Sequence, residues 1–74
     1  MIDDLNIGDQ FIVSEDYTQL GADFVAGTVY TVVESEKDND WYVVTPGNGA
    51  DGQWYFGLDP DLGKLSSIIQ LVVN

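Results

Sequence analysis

Thr28-Val29-Tyr30-Thr31-Val32-Val33, the charged interval from Ser35 to Asp40, and Trp41-Tyr42-Val43-Val44-Thr45 form the passage that decides the fold. β-Branched and aromatic residues dominate both flanking runs. Their stiff side chains suit a pleated, half-buried surface better than a helix. The acidic interval between them is too short and too polar for anything but a hairpin turn, so the two runs read as paired strands. The second run stops at Pro46-Gly47. A glycine-rich interval to Gly52 then leads into Gln53-Trp54-Tyr55-Phe56, which adds a third strand through another hairpin. Working outward, Phe11-Ile12-Val13 follows the turn signal Gly8-Asp9, and Ile68-Ile69-Gln70-Leu71-Val72-Val73 supplies a last strand. The intervening residues 14–27, with Tyr17, Leu20 and Phe24, read as a long first loop. Residues 57–67 offer one short helical turn, with Asp59 as N-cap and Pro60 at the first helical position. The expected class is therefore all-β: a small five-stranded, strongly bent antiparallel sheet in a single domain over residues 1–74, with a short helical turn before the last strand.

Strand parity divides the side chains into two sets, because successive residues point to opposite faces. Phe11 and Val13, Tyr30 and Val32, Tyr42 and Val44, and Trp54 and Phe56 form the expected inner face. Val29, Val33, Trp41, Val43 and Tyr55 fall on the other face, which is more apolar than solvent requires. Packing beneath the long loop is one use for these residues. A surface for a partner, or for a second copy in a homodimer, is the other.

Charge narrows the chemistry. The 74 residues carry 13 Asp and Glu against Lys37 and Lys64, for a net charge of −11, with no His, Cys or Arg. Phosphate neutralisation needs many Lys and Arg, so direct binding to nucleic acid or anionic lipid is not expected. Without Cys there are no disulfides and no thiol chemistry, and without His the usual general base is missing. The chain is nevertheless 45% hydrophobic, enough for a core and unlike a disordered acidic tail. The opening Met1-Ile2-Asp3-Asp4 has neither the basic nor the apolar region of a signal peptide, and no apolar run approaches a membrane span. A soluble intracellular protein is the expectation.

Two catalytic or metal-binding arrangements fail on spacing. A calcium loop starting at Asp59 would need an oxygen ligand at its fifth position, Gly at its sixth and Glu at its twelfth. It meets Gly63, Lys64 and Gln70 instead. The glycine-rich run at 47–52 has no following Lys-Ser/Thr and no helix, so it is not a phosphate loop. Among so many carboxylates close pairs are inevitable and do not by themselves mark an acid–base site. No enzyme activity, cofactor or metal is expected.

The order Gly8-Asp9-x-Phe11-x-Val13, a long loop, Gly27-x-x-Tyr30-x-Val32, an acidic turn, Tyr42-x-Val44, a glycine-rich turn and Trp54-x-Phe56 resembles the small SH3-like β-barrel proteins common in bacteriophage genomes. The similarity spans roughly residues 5–73 and implies an SH3-like barrel. In size, charge and lack of Arg the chain also resembles phage DNA mimics, small acidic proteins that occupy the DNA-binding surfaces of host proteins. DNA presents about one charge per 1.7 Å of axis, and a stiff scaffold with carboxylates on neighbouring turns imitates such an array. The resemblance implies a phage-encoded inhibitor in the host cytoplasm. It would bind the basic surface of a host nucleic-acid-binding protein, such as a histone-like nucleoid protein, a nuclease or a polymerase. Residues expected to meet that partner are Glu15, Asp16, Glu34, Glu36, Asp38, Asp40, Asp51, Asp59 and Asp61, with Trp41 and Tyr55 as apolar anchors. The rival expectation is a protein-interaction adapter or virion component that uses the exposed aromatic surface. The plainest alternative is that Asp simply favours turns.

Overall fold

The computed structural model describes residues 2 and 4–72. Among the described residues the strands are β1 (Gln10–Val13), β2 (Tyr17–Gln19), β3 (Ala22–Phe24), β4 (Tyr30–Glu36), β5 (Trp41–Pro46), β6 (Trp54–Gly57) and β7 (Ile69–Leu71). A single helical turn, α1 (Leu65–Ile68), precedes β7. Five strands form one antiparallel sheet in the order β6-β5-β4-β1-β7, and β2 and β3 form a separate hairpin. The all-β expectation and its five antiparallel strands hold. Among the described residues no pairing joins β6 to β7, so the sheet is open.

The inner-face parity holds for seven of the eight side chains. Phe11, Val13, Tyr30, Val32, Tyr42, Val44 and Phe56 are all buried. Trp54 is only half-buried, because its indole leans to the sheet edge, where Nε1 donates to the Asp23 carbonyl at 2.7 Å. The rings form a continuous cluster in which Phe24 meets Tyr30 and Phe56 edge-on, with centroids 5.1 and 5.3 Å away. Phe11 stacks on Tyr30 and Tyr42 on Phe56. The two core tyrosine hydroxyls accept from backbone that the sheet leaves unpaired: Tyr30 from the Val25 N–H at 2.8 Å and Tyr42 from the Leu5 N–H at 3.2 Å. Burying a phenol is costly unless its oxygen is used, so each ring also fastens a neighbouring segment.

The stretch read as a long loop is instead the β2–β3 hairpin, and it lids the core. Ala22 and Phe24 of β3 point inward. The hairpin is pinned to β6 by Trp54 and by Gln19, whose Oε1 accepts from the Gly57 N–H at 2.8 Å. Its turn, Leu20-Gly21, has positive φ at both residues, 53° and 83°. That is the pattern of a type I′ turn, which glycine and asparagine favour and leucine does not.

Two ends also differ from expectation. The turn predicted at Asp59-Pro60 is present as a 3-10 turn over Pro60–Leu62, and the Asp59 carboxylate accepts from the Asp61 N–H at 2.9 Å. Ile68, expected in the last strand, closes α1, and Val73 lies outside the described residues.

Candidate protein-interaction surface

A β-bulge sets the positions of the charged groups. Val32 pairs with Val44, but the next pair is Glu34 with Val43, which leaves Val33 without a partner. Were Val33 paired as an ordinary strand residue, the alternation that buries Tyr30 and Val32 would also drive Glu34 and Glu36 into the core. The bulge resets the parity. Ser35 then turns inward beside Tyr42, and its hydroxyl donates to the Leu5 carbonyl at 3.3 Å. Glu34 and Glu36 turn outward.

On that outer face two transverse rows result. One runs Glu34, Val43, Tyr55; the other runs Glu36, Trp41, Gly57. Val43 is only 6% exposed, whereas Tyr55 is 59% exposed. Glu34, Ser35, Glu36, Trp41, Tyr42, Val43 and Tyr55 bound a cleft of about 250 Å³ there. Gly57 gives room at the end of the second row: a Cβ there would lie 2.5 Å from Leu62 Cδ1 and 3.8 Å from Trp41 Cε2. Leu62 thus lies over the glycine on the same side as the indole.

Further carboxylates gather at the end of this sheet. A 3-10 turn over Lys37–Asn39 follows β4, and Asp40 leaves it in the left-handed conformation, φ 56°. The Asp40 carbonyl accepts from the Leu58 N–H at 2.7 Å, which brings the turn bearing Asp38 and Asp40 against the turn bearing Asp59 and Asp61. Glu34, Glu36, Asp38, Asp40, Trp41, Tyr55, Asp59 and Asp61 are therefore neighbours along one side of the molecule.

The other three expected contact residues are separated from them. Glu15 forms an ion pair with Lys64. Asp16 is a turn builder, with Oδ1 accepting from the Ala26 N–H at 2.8 Å. Asp51 lies in the β5–β6 hairpin, at the opposite end of those strands from Asp40. Six residues of strand place it about 20 Å away.

Both lysines are engaged within the chain. Lys64 pairs with Glu15, and Lys37 lies 3.7 Å from Asp4 and also bonds the Asn6 side-chain oxygen. The hydrogen bond and charge of Glu15 raise the Lys64 pKa above its ordinary value. Among the described residues no cation pairs with the carboxylates around Trp41 and Tyr55.

Leu20 was not singled out by its sequence, yet it is 64% exposed at the tip of the lid in a backbone conformation that costs a leucine about 1–2 kcal/mol. With Trp54 and Tyr55 it lines a second cleft, so Tyr55 is a shared wall. The only sequence signal was a Leu-Gly pair where Asn-Gly would be usual. Among the described residues no group of acidic side chains is arranged to hold a metal ion, and no helix is long and apolar enough to cross a membrane. The chain matches no family model, no curated protein and no solved structure.

Proposed function

We propose that this chain is a DNA-mimic inhibitor of phage origin, which binds the basic nucleic-acid-binding surface of a host protein and keeps nucleic acid from it. The single observation that carries the reading is the run of carboxylates Glu34, Glu36, Asp38, Asp40, Asp59 and Asp61 around two exposed rings, with Lys37 paired to Asp4 and Lys64 to Glu15. Such an array steers a cationic surface toward it and gives an affinity that falls as salt rises. The rings supply what charge alone lacks, a desolvated anchor. We assign the scaffold to the SH3-like barrels, on the strand order β6-β5-β4-β1-β7 and the helical turn before β7.

The test is a competition. A bacterial histone-like nucleoid protein is bound to labelled duplex, and this chain is titrated in. Release of the duplex is expected at low salt and should be lost on moving to moderate salt. The variant carrying Glu34→Gln, Glu36→Gln, Asp38→Asn and Asp40→Asn should release none. Equal release by the variant overturns the reading. The exposed Tyr55 and the cleft beside it support a second reading, an adapter that binds an extended peptide. Its binding would survive moderate salt and fail on Trp41→Ala.

A further inference from the structure

We propose that the cleft on the outer face of β4, β5 and β6 receives an arginine side chain projecting from the partner, with the guanidinium held between Trp41 and Tyr55 above Val43 and paired with Glu34 and Glu36. The identification of the occupant as part of a basic protein surface rests on the function proposed above. The geometry of the cleft selects the side chain. Trp41 and Tyr55 are diagonal neighbours, since Trp41 pairs with Gly57 and Tyr55 is two residues before it. Diagonal neighbours across an antiparallel pair stand about 7–8 Å apart, with their Cβ atoms somewhat closer. A flat group needs about 3.5–4 Å of clearance on each side, so rings splaying outward from these two positions can take at most one planar layer between them. Among the described residues the close ring pairs all lie within the core and involve neither Trp41 nor Tyr55.

The floor is Val43, a hydrocarbon side chain with no hydrogen-bonding group, so what enters must tolerate contact with hydrocarbon. The rim along β4 is acidic, with Glu34 opposite Val43 and Glu36 opposite Trp41. A guanidinium meets all of these conditions: it is planar, weakly hydrated on its faces, cationic, and has donors in its plane for two carboxylates. A lysine ammonium is a compact, strongly hydrated charge that gains less from the sandwich. The cleft volume of about 250 Å³ accommodates the side chain with little else.

The probe is the peptide acetyl-(Gly-Arg)4-amide, titrated into the ¹⁵N-labelled full chain and compared with acetyl-(Gly-Lys)4-amide. The indole N–H signals of Trp41 and Trp54 are to be assigned with Trp41→Phe, and Trp54 serves as the internal control. The arginine peptide should shift Trp41 saturably and bind about five-fold or more tightly than the lysine peptide. Glu34→Gln with Glu36→Gln should weaken it by about ten-fold. The charge-matched control Asp51→Asn with Asp16→Asn should weaken it by less than about two-fold. All four side chains reach solvent, so folding of each variant is read from the same spectra. Equal binding of the two peptides, an unmoved Trp41 signal, or equal losses in both variants would overturn the proposal and leave only diffuse attraction. Duplex release from a nucleoid protein is measured separately, so failure of the arginine cleft and failure of the mimic reading are told apart.

Discussion

Tyr42 shows how a single side chain sets a condition for folding. Burial raises its pKa above the ordinary phenol value; the Leu5 N–H opposes that, and the charges of Asp4 and Asp40 reinforce it. The folded chain therefore holds this proton more tightly than the unfolded one. Its contribution is complete below the unfolded pKa, about 10, and is lost as the pH rises through the higher folded value. Urea unfolding should show stability declining above about pH 10, with Lys64 adding to the decline, since its pKa is also raised. Tyr42→Phe should lose about 1–3 kcal/mol near neutrality, because the Leu5 N–H is left without its acceptor, and should then decline less steeply in alkali. A decline as steep as that of the parent chain would show that Tyr42 is not its source. Tyr42 was legible in the sequence as an inner-face residue, by alternation with Val44. Its hydroxyl's partner, 37 positions earlier, was not, because no local pattern connects the two.

The β2–β3 hairpin is where the reading of elements fell short, for local reasons. Strands of three residues are too short to display alternation, and Leu20-Gly21 lacks the usual turn chemistry. The β4–β5 and β5–β6 hairpins were legible because long β-branched runs meet acidic or glycine-rich turns. The strain at the hairpin tip is directly measurable. Leu20→Asn should raise stability by about 0.5–1 kcal/mol in thermal unfolding, since asparagine tolerates the left-handed region and an exposed leucine forfeits little packing. A loss of stability would mean that the side chain packs more productively than its exposure implies. The bulge at Val33 was equally hidden: no glycine or other local signal in the run from Thr28 to Glu36 marks where the parity set by Tyr30 and Val32 changes. Only pairing against β5 reveals that one residue is skipped.

At the scale of the whole molecule, the charge of −11 sits on a body measuring 29 × 24 × 22 Å. Like charges crowded over so small a surface oppose compaction, and salt screens them within about 10 Å at 0.1 M. Melting should therefore shift upward by several degrees between about 20 and 500 mM sodium chloride, as followed by calorimetry. A flat profile would mean that the acids are too dispersed to repel one another, which would also weaken the case for a concerted anionic surface. The sequence named eight of the residues that the fold gathers on one side. It did not sort them from Glu15, Asp16 and Asp51, because their separation depends on which turns the backbone hydrogen bonds bring together.

The skipped Val33 also determines which length changes the chain tolerates. Removing one residue between Val32 and Ser35 would only absorb the bulge and keep Ser35 opposite Tyr42 and Glu36 opposite Trp41, whereas β5 pairs β6 without a skipped residue, so losing one of its residues would turn Tyr42 or Val44 away from the core. The glycine-rich connection between β5 and β6, exposed and remote from the core, carries no such constraint. Length variation in this lineage should accumulate at the glycine connection and be purged from β5, with a codon deletion at Val33 tolerated and one at Val43 behaving as a loss-of-fold allele.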